Sequence, residues 1–197
     1  MLILGIDPGS ATTGFGLIEV GTTKTKSSGL CVIDYGCIVT PREWVMGDRL
    51  KKLHEELLIL FKKYRPDMIA IEQIFFFSNA KTIIPVGQAR GIVLLAAAES
   101  EITVKEYSPL QIKLEFTGYG RAKKPEVQKK LKEVVGITAL KKDKTKKFSD
   151  GHHFDDAADA LAVAICHFYK NGGEGFKTEN TIPVSRATKK PKKVKKV

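Results

Sequence analysis

The sequence lacks the features that would place it in a membrane, in an oxidising compartment or in a repeat architecture. No apolar run approaches the ~20 residues that a membrane-spanning helix needs. No basic segment precedes the first apolar strand, so no signal peptide is recognised, and a cytoplasmic protein with no membrane partner is expected. The three cysteines form no CxxC pair, which favours buried free thiols over disulfides or zinc. No internal repeat is evident.

The charge of the chain is unbalanced toward the basic side. Its 197 residues include 33 Lys and Arg against 22 Asp and Glu, for a formal net charge of +11. Eight basic and two acidic residues lie in 171–197, which we interpret as a disordered basic tail after a single domain over 1–170. A polyanionic partner such as nucleic acid is one interpretation of this charge, and a solvated lysine-rich surface is the other.

The pattern of apolar residues predicts an α/β fold. Strand candidates are 2–7, 14–20, 30–39, "MIAIE" and "ITVKEY". Helix candidates are 46–61, 80–99, 125–135 and "DDAADALAVAICHFY". The first three strands have short links, which predict an antiparallel meander. The whole order fits a ribonuclease H-like fold, with a mixed five-stranded sheet flanked by helices.

Four carboxylates stand out at the ends of these elements. Asp7 and Glu72 each end an apolar strand. Asp156 and Asp159 lie three residues apart and share a helix face, although Asp155, four residues from Asp159, is physically just as reasonable. Gathered together, these groups repel one another unless a cation binds. Hard cations such as Mg²⁺ take carboxylate oxygens, and two of them can activate water for phosphodiester cleavage.

Each acid also has an ordinary interpretation when it is taken alone. Asp7 precedes Pro and Gly, which is a common turn composition. Glu72 fits a solvated strand end, and Asp156 fits a helix N-terminus, where the macrodipole favours a carboxylate. Only their combination on this order of elements favours a metal site. His152 and His153 have no partner at a zinc-like spacing and are expected in a polar loop.

Four blocks of the chain resemble the conserved blocks of RuvC-type Holliday junction resolvases, in the same order. They are "GIDPGSATTGFG", "IEQIFFFSNAKTIIPVGQARG", "FTGYGRAKKPEVQ" and "DDAADALAVAI". The resemblance covers roughly residues 1–170. It implies a ribonuclease H-like fold, a homodimer and a Mg²⁺-dependent endonuclease that nicks opposing strands of four-way DNA junctions in recombination and repair. Two Mg²⁺ ions per active site, with Mn²⁺ able to substitute, are implied as well.

The resemblance also assigns the metal ligands. By position, the family's four metal-binding acids fall on Asp7, Glu72, Asp156 and Asp159. The family's "DAAD" motif selects Asp156 over Asp155, which spacing alone does not do. On this basis Asp7 ends its strand because a metal binds there. Gly9 and the later glycines are expected to let the backbone approach the metal and the DNA closely.

Further roles follow from the same resemblance. Phe75 matches an aromatic residue that contacts unstacked bases, and base stacking is worth ~1–3 kcal/mol per base. Lys113 and Lys124 match lysines that serve the DNA backbone and the active site, where they can stabilise negative charge. A RuvA/RuvB branch-migration complex is an implied partner. The lysine-rich segment 138–154 is longer and more basic than is usual in the family, and the tail after residue 171 has no family counterpart. Extra DNA affinity is one interpretation of both segments, and solvated disorder is the other.

Two other classes of function fit parts of the sequence. The glycine-rich hairpin after "GIDPG" also resembles the phosphate loops of actin- and hexokinase-like ATPases, but those need a second such loop and a longer chain. A non-catalytic junction-binding protein would not need four acids on converging elements. An ATP hydrolysis assay tests the first alternative, and a nicking assay with Mg²⁺ tests the second.

Overall fold

Within the residues that the structure describes, five strands form one mixed sheet in the order β3-β2-β1-β4-β5. In the computed structural model, the described residues are 1–21, 29–74, 80–135 and 152–173, without the side chains of 80–82 and 152–154. The strands are β1 (Leu2–Asp7), β2 (Thr12–Val20), β3 (Leu30–Val39), β4 (Met68–Glu72) and β5 (Thr103–Tyr107). Strands β1 to β3 form the predicted antiparallel meander, whereas β4 is parallel to both β1 and β5.

In the described part of the chain, five helices cover the two faces of this sheet. They are α1 (Met46–Tyr64), α2 (Ala80–Glu99), α3 (Pro109–Thr117), α4 (Lys124–Val135) and α5 (His152–Lys170). One core joins the sheet to α1 and α2, and the other joins it to α3, α4 and α5. No helix within the described ranges is long and apolar enough to cross a membrane.

The structure departs from the sequence predictions at a few boundaries. Strand β2 begins at Thr12 rather than at residue 14. Helix α5 begins at His152, so the prediction that His152 and His153 lie in a polar loop is wrong. Residues 136–151 and 174–197 lie outside the described part of the chain, and so does Phe75. The three cysteines are free thiols, as predicted, although only Cys166 is fully buried.

Helix α5 lies unusually close to the sheet because glycines face it. A Cβ atom added at Gly5 would lie 2.0 Å from the Ala160 carbonyl oxygen, and one at Gly14 would lie 2.1 Å from the Asp156 carbonyl oxygen. At Gly16 the added atom would meet the Leu161 side chain at 2.6 Å. The small residues of β1 and β2 therefore form a shallow surface on which the alanine-rich helix rests.

Candidate active site and metal centre

The strand-end carboxylates are neighbours because β1 and β4 are adjacent parallel strands. Ile6 of β1 is in register with Ile71 of β4. The next residues, Asp7 and Glu72, therefore lie side by side at the carboxyl ends of these two strands. Side chains alternate along a strand, and Ile3 of β1 and Ala70 of β4 belong to the core under α5. Asp7 and Glu72 lie an even number of residues from these positions, so both point to the α5 face.

The glycine contacts bring the acidic end of α5 to this same place. Asp7 is in register with Gly14, and the Asp156 carbonyl oxygen rests against Gly14. The sequence analysis expected these glycines to let the backbone approach a metal and DNA, whereas Gly14 and Gly16 let helix α5 pack closely against the sheet. Gly9 has a different role, because a Cβ atom there would lie 2.1 Å from the Thr12 carbonyl oxygen.

The four predicted acids are electrostatically coupled. Burial, together with the charges of Glu72, Asp159 and Asp156, raises the pKa of Asp7 to about 8, against an opposing effect of Lys124. Burial and the charge of Asp159 raise the pKa of Glu72 to about 7. Burial raises the pKa of Asp159 as well. The folded protein thus holds carboxyl groups in a setting that disfavours their ionised form.

Two lysines supply the positive charge of the site. Lys124, at the start of α4, donates a hydrogen bond of 2.7 Å to Asp159 Oδ2. Lys113 and Lys124 both lower the pKa of Glu72 through their charges. Together with Glu72 and Asp159, these lysines line a cavity of about 220 Å³ between α3, α4 and α5. The structure therefore places both sequence-predicted lysines beside the acids.

Asp155 takes a different position from its neighbour Asp156. Its carboxylate accepts a hydrogen bond of 3.0 Å from Gln128 Nε2 of α4, and its Oδ2 lies 3.9 Å from Lys124 Nζ. Of these two neighbours, Asp156 and not Asp155 is among the charges that raise the pKa of Asp7. Asp155 lies within the first turn of α5, which begins three residues earlier at His152.

The donor set fits a hard divalent cation by its chemistry and its charge. Carboxylate oxygens are the ligands that Mg²⁺ and Ca²⁺ prefer, and a cation would offset the repulsion that raises the pKa of Asp7. Among the described residues, however, no group of three or more His, Cys, Asp or Glu side chains is placed so that it could hold a metal ion as it stands. Coordination needs oxygens within about 2.0–2.6 Å of one point, whereas charge coupling acts over longer distances.

Sequence reasoning missed three polar residues that surround the turn after Asp7. Thr13, Thr40 and Arg49 are buried, and all three bond the backbone of the loop 8–11. No sequence signal identifies Thr40 and Arg49 as neighbours of this loop, because they lie 30 and 39 residues from Ser10, which both of them bond. The remaining predicted site residue, Phe75, lies outside the described residues, so its contact with bases stays a prediction.

Comparison with known proteins gives one consistent family. The family model described as "Crossover junction endodeoxyribonuclease RuvC" matches residues 3–167. RuvC of Syntrophomonas wolfei is 45% identical over 86% of this chain and 89% of its own length. RuvC of Desulforamulus reducens is 46% identical over 85% of this chain and 93% of its own. The solved structure "T. thermophilus RuvC in complex with Holliday junction substrate" matches with a TM-score of 0.71 and 29% identity, over 89% of this chain and 98% of that one.

Proposed function

The chain belongs to the RuvC family of crossover junction endodeoxyribonucleases, and from this membership we propose that it resolves four-way DNA junctions by hydrolysing phosphodiester bonds in opposing strands. The observation that supports this most directly is the coupling of four carboxylates. Asp7 and Glu72 end adjacent parallel strands, and the charges of Asp156 and Asp159 on α5 act on the same carboxyl group. Such a cluster suits phosphodiester hydrolysis assisted by divalent metal.

The cation that these acids would hold is Mg²⁺, with two ions per active site and Mn²⁺ as a substitute. Asp7, Glu72, Asp156 and Asp159 are its ligands in this proposal. A bound divalent ion lowers the pKa of water and stabilises the charge on the leaving oxygen. The protein's own contribution is to hold the ligands on two rigid strands and one helix, which limits their freedom to move apart.

The two lysines bind the scissile phosphate in this proposal. Lys113 and Lys124 line the cavity next to Glu72 and Asp159, and their side chains can donate hydrogen bonds to phosphate oxygens. Lys124 is held by Asp159 in the protein alone, so it must exchange this carboxylate for the phosphate when DNA binds. Its positive charge would then stabilise the negative charge that develops during hydrolysis.

The proposed active unit is a homodimer in the cytoplasm that works beside a RuvA/RuvB branch-migration complex. A four-way junction is close to two-fold symmetric, so a two-fold dimer presents equivalent sites to opposing strands. The outward face of α2 supports this arrangement, since Ile84 and Leu95 are exposed there and open space surrounds Gly87 and Gly91.

One gel assay tests the proposed function. A synthetic four-way junction and a linear duplex of the same sequences are incubated with the protein in Mg²⁺, in Ca²⁺ or in EDTA. We expect symmetric nicks in the junction with Mg²⁺, binding without efficient cleavage in Ca²⁺, and no cleavage of the duplex. Asp159→Asn should abolish nicking, whereas Glu56→Gln, which alters an exposed carboxylate paired with Lys52, should not. Junction binding without nicking under every metal condition would instead favour a non-catalytic binding protein.

The basic segment 174–197 adds sequence-independent DNA affinity in this proposal. Its lysines can neutralise phosphates, and phosphate contacts carry no information about junction shape. Deleting it should weaken binding to junction and duplex alike and flatten the salt dependence of both, as measured by fluorescence anisotropy. A loss confined to the junction would show that the tail recognises structure.

A further inference from the structure

The loop 8–11 is held by an unusual concentration of buried polar groups. It follows Asp7 directly and leads from β1 into β2. Among the described residues only four polar or charged ones are buried, namely Thr13, Thr40, Arg49 and His167. Three of these four bond the backbone of this one loop. The described part of the molecule thus places most of its buried polar groups next to a single catalytic strand end.

The bonds to the loop come from three different elements. Thr13 Oγ1 of β2 donates to the Gly9 carbonyl oxygen at 2.8 Å. Thr40, which follows β3, donates from Oγ1 to the Ser10 carbonyl oxygen at 2.7 Å and from its backbone N–H to the Ala11 carbonyl oxygen at 2.9 Å. Arg49 of α1 donates from Nη2 to the same Ser10 oxygen and from Nε to Thr40 Oγ1 at 3.3 Å.

Arg49 is the most informative member of this network. It is 9% exposed, and no described carboxylate forms an ion pair with it. A buried charge is costly unless hydrogen bonds compensate it, and an apolar side chain would serve helix packing at a lower cost. The acceptors that compensate Arg49 are the loop carbonyl and the hydroxyl that holds this loop. The bonding therefore ties α1 to the loop rather than to another charged group.

We propose that Arg49 and Thr40 are positioning residues for the nuclease reaction, and that they act by fixing the loop 8–11 and with it the direction of the Asp7 carboxylate. This inference rests on the proposed role of Asp7. The backbone of residues 8–11 sets the dihedral angles at the end of β1, so a loop free to move would spread Asp7 over several orientations. A carboxylate that must meet three others on β4 and α5 has little tolerance for such spread.

The test compares two hydroxyl deletions: one at Thr40, which bonds Arg49 near the start of α1, and one at Tyr64, the last residue of α1. Thr40→Val removes the hydroxyl that bonds Ser10 and Arg49 while it keeps the side-chain shape. Tyr64→Phe removes a hydroxyl that joins the far end of α1 to Asp34 of β3, and it is the matched control. Thr40→Ser keeps the hydroxyl and serves as the conservative rescue. Each protein is measured for junction nicking over a Mg²⁺ series, for junction binding in Ca²⁺, and for amide hydrogen exchange without metal.

Thr40→Val should lower the nicking rate by about 10- to 100-fold, as a misplaced catalytic group does. It should also raise the Mg²⁺ concentration at half-maximal rate, with junction binding in Ca²⁺ unchanged. Exchange of the amides of residues 9–13 should accelerate by about 3- to 10-fold, the factor expected when the loop loses its hydrogen bond from Thr40 Oγ1. Thr40→Ser should retain most of the rate and the protection, and Tyr64→Phe should match the wild type in all three measurements.

The outcomes separate this inference from the proposed function. If the wild type does not nick junctions, the proposed function fails, and amide exchange still reports whether Thr40 holds the loop. If the wild type nicks and Thr40→Val matches Tyr64→Phe in rate, Mg²⁺ dependence and exchange, the positioning role is wrong. Arg49→Met should give the same pattern as Thr40→Val or a stronger one. Should that variant not fold, the comparison at Thr40 decides alone.

Discussion

At the residue scale, Asp7 makes the metal-free protein sensitive to pH. Its pKa rises from 3.8 to about 8 in the folded state, chiefly through burial, so the folded protein keeps a proton that the unfolded chain releases above about pH 4. The resulting penalty is absent below the unfolded pKa, grows as pH rises between the two values, and is complete above the folded one. Asp7 retains partial solvent access at the strand end, which screens part of this effect.

Asp7→Asn should therefore stabilise the metal-free protein at pH 8.5 and have little effect at pH 4. A gain of at least ~1 kcal/mol is expected, which corresponds to about 2–4 °C in Tm for a chain of this size. Thermal unfolding in EDTA at both pH values measures it, with Glu56→Gln as the control carboxylate. Mg²⁺ should stabilise the wild type at pH 8.5 and not the variant. If the stability of the wild type and that of the variant depended equally on pH, folding would not raise the pKa of Asp7.

The choice between Asp155 and Asp156 is also decided at this scale. Asp156→Asn should abolish Mg²⁺-dependent nicking, because its charge acts on Asp7 and its backbone rests on Gly14. Asp155→Asn should keep nicking within a few-fold, since its contacts are Gln128 and, at 3.9 Å, Lys124. An amide oxygen can still accept from Gln128, so a stability loss of about 1 kcal/mol or less is expected. The reverse result, with Asp155→Asn inactive, would mean that α5 is rotated about its axis.

At the scale of helices and strands, the sequence was most informative where apolar periodicity was strong. The helix beginning at Met46 was predicted closely for this reason, and the strand "MIAIE" was predicted from its short apolar run. Helix α3 was not predicted as a separate element, although Ser108, Pro109 and Gln111 form a readable capping box with proline at the first turn. Because α3 has only nine residues, its apolar residues show no clear helical periodicity that would have supported the motif.

The glycines of β1 and β2 lead to a prediction at this scale. Gly14→Ala would place a methyl group 2.1 Å from the Asp156 carbonyl oxygen, so α5 must move away from the sheet. Overpacking of this kind costs about 1–3 kcal/mol, and here it also displaces Asp156 and Asp159 from Asp7. The midpoint of urea unfolding and the nicking rate should both be lower than in the wild type.

Gly47→Ala is the control for this substitution. Gly47 lies in α1 with no heavy atom within 4 Å of an added Cβ, so the change should be neutral or stabilise the protein by up to ~1 kcal/mol. If Gly14→Ala were as stable and as active as Gly47→Ala, the close seating of α5 would not be needed for the site.

At the scale of the whole molecule, the sequence predicted the layered architecture and the convergence of the four acids, but not how the loop after Asp7 is held. Strand ends and helix faces follow local periodicity, which a single sequence contains. The bonds of Arg49 and Thr40 to Ser10 join residues 39 and 30 positions apart, and no local pattern encodes such pairs. The prediction that Asp156 rather than Asp155 is a metal ligand likewise rests on the family motif and on the packing of α5, because the spacing to Asp159 does not distinguish them.

Dimerisation through α2 is the prediction that belongs to the whole molecule. Leu95 is 48% exposed on the outward face of α2, in line with Ile84 and with the open positions Gly87 and Gly91. Small residues let a second helix approach closely, and an exposed apolar stripe of this kind is costly to leave in water. Leu95→Glu would place a charge in the interface, so it should convert a micromolar dimer into a monomer in sedimentation velocity.

The control for Leu95→Glu is Leu114→Glu, which alters a leucine of 46% exposure on α3, at the opposite face of the sheet. This variant should remain dimeric, because it places the same charge on the opposite face of the sheet, away from α2. Leu95→Glu should also uncouple the two nicks on a junction, so that single nicks accumulate before the second strand is cut. A wild type that stays monomeric with and without junction DNA contradicts the dimer, and dimers in both variants would place the interface away from α2.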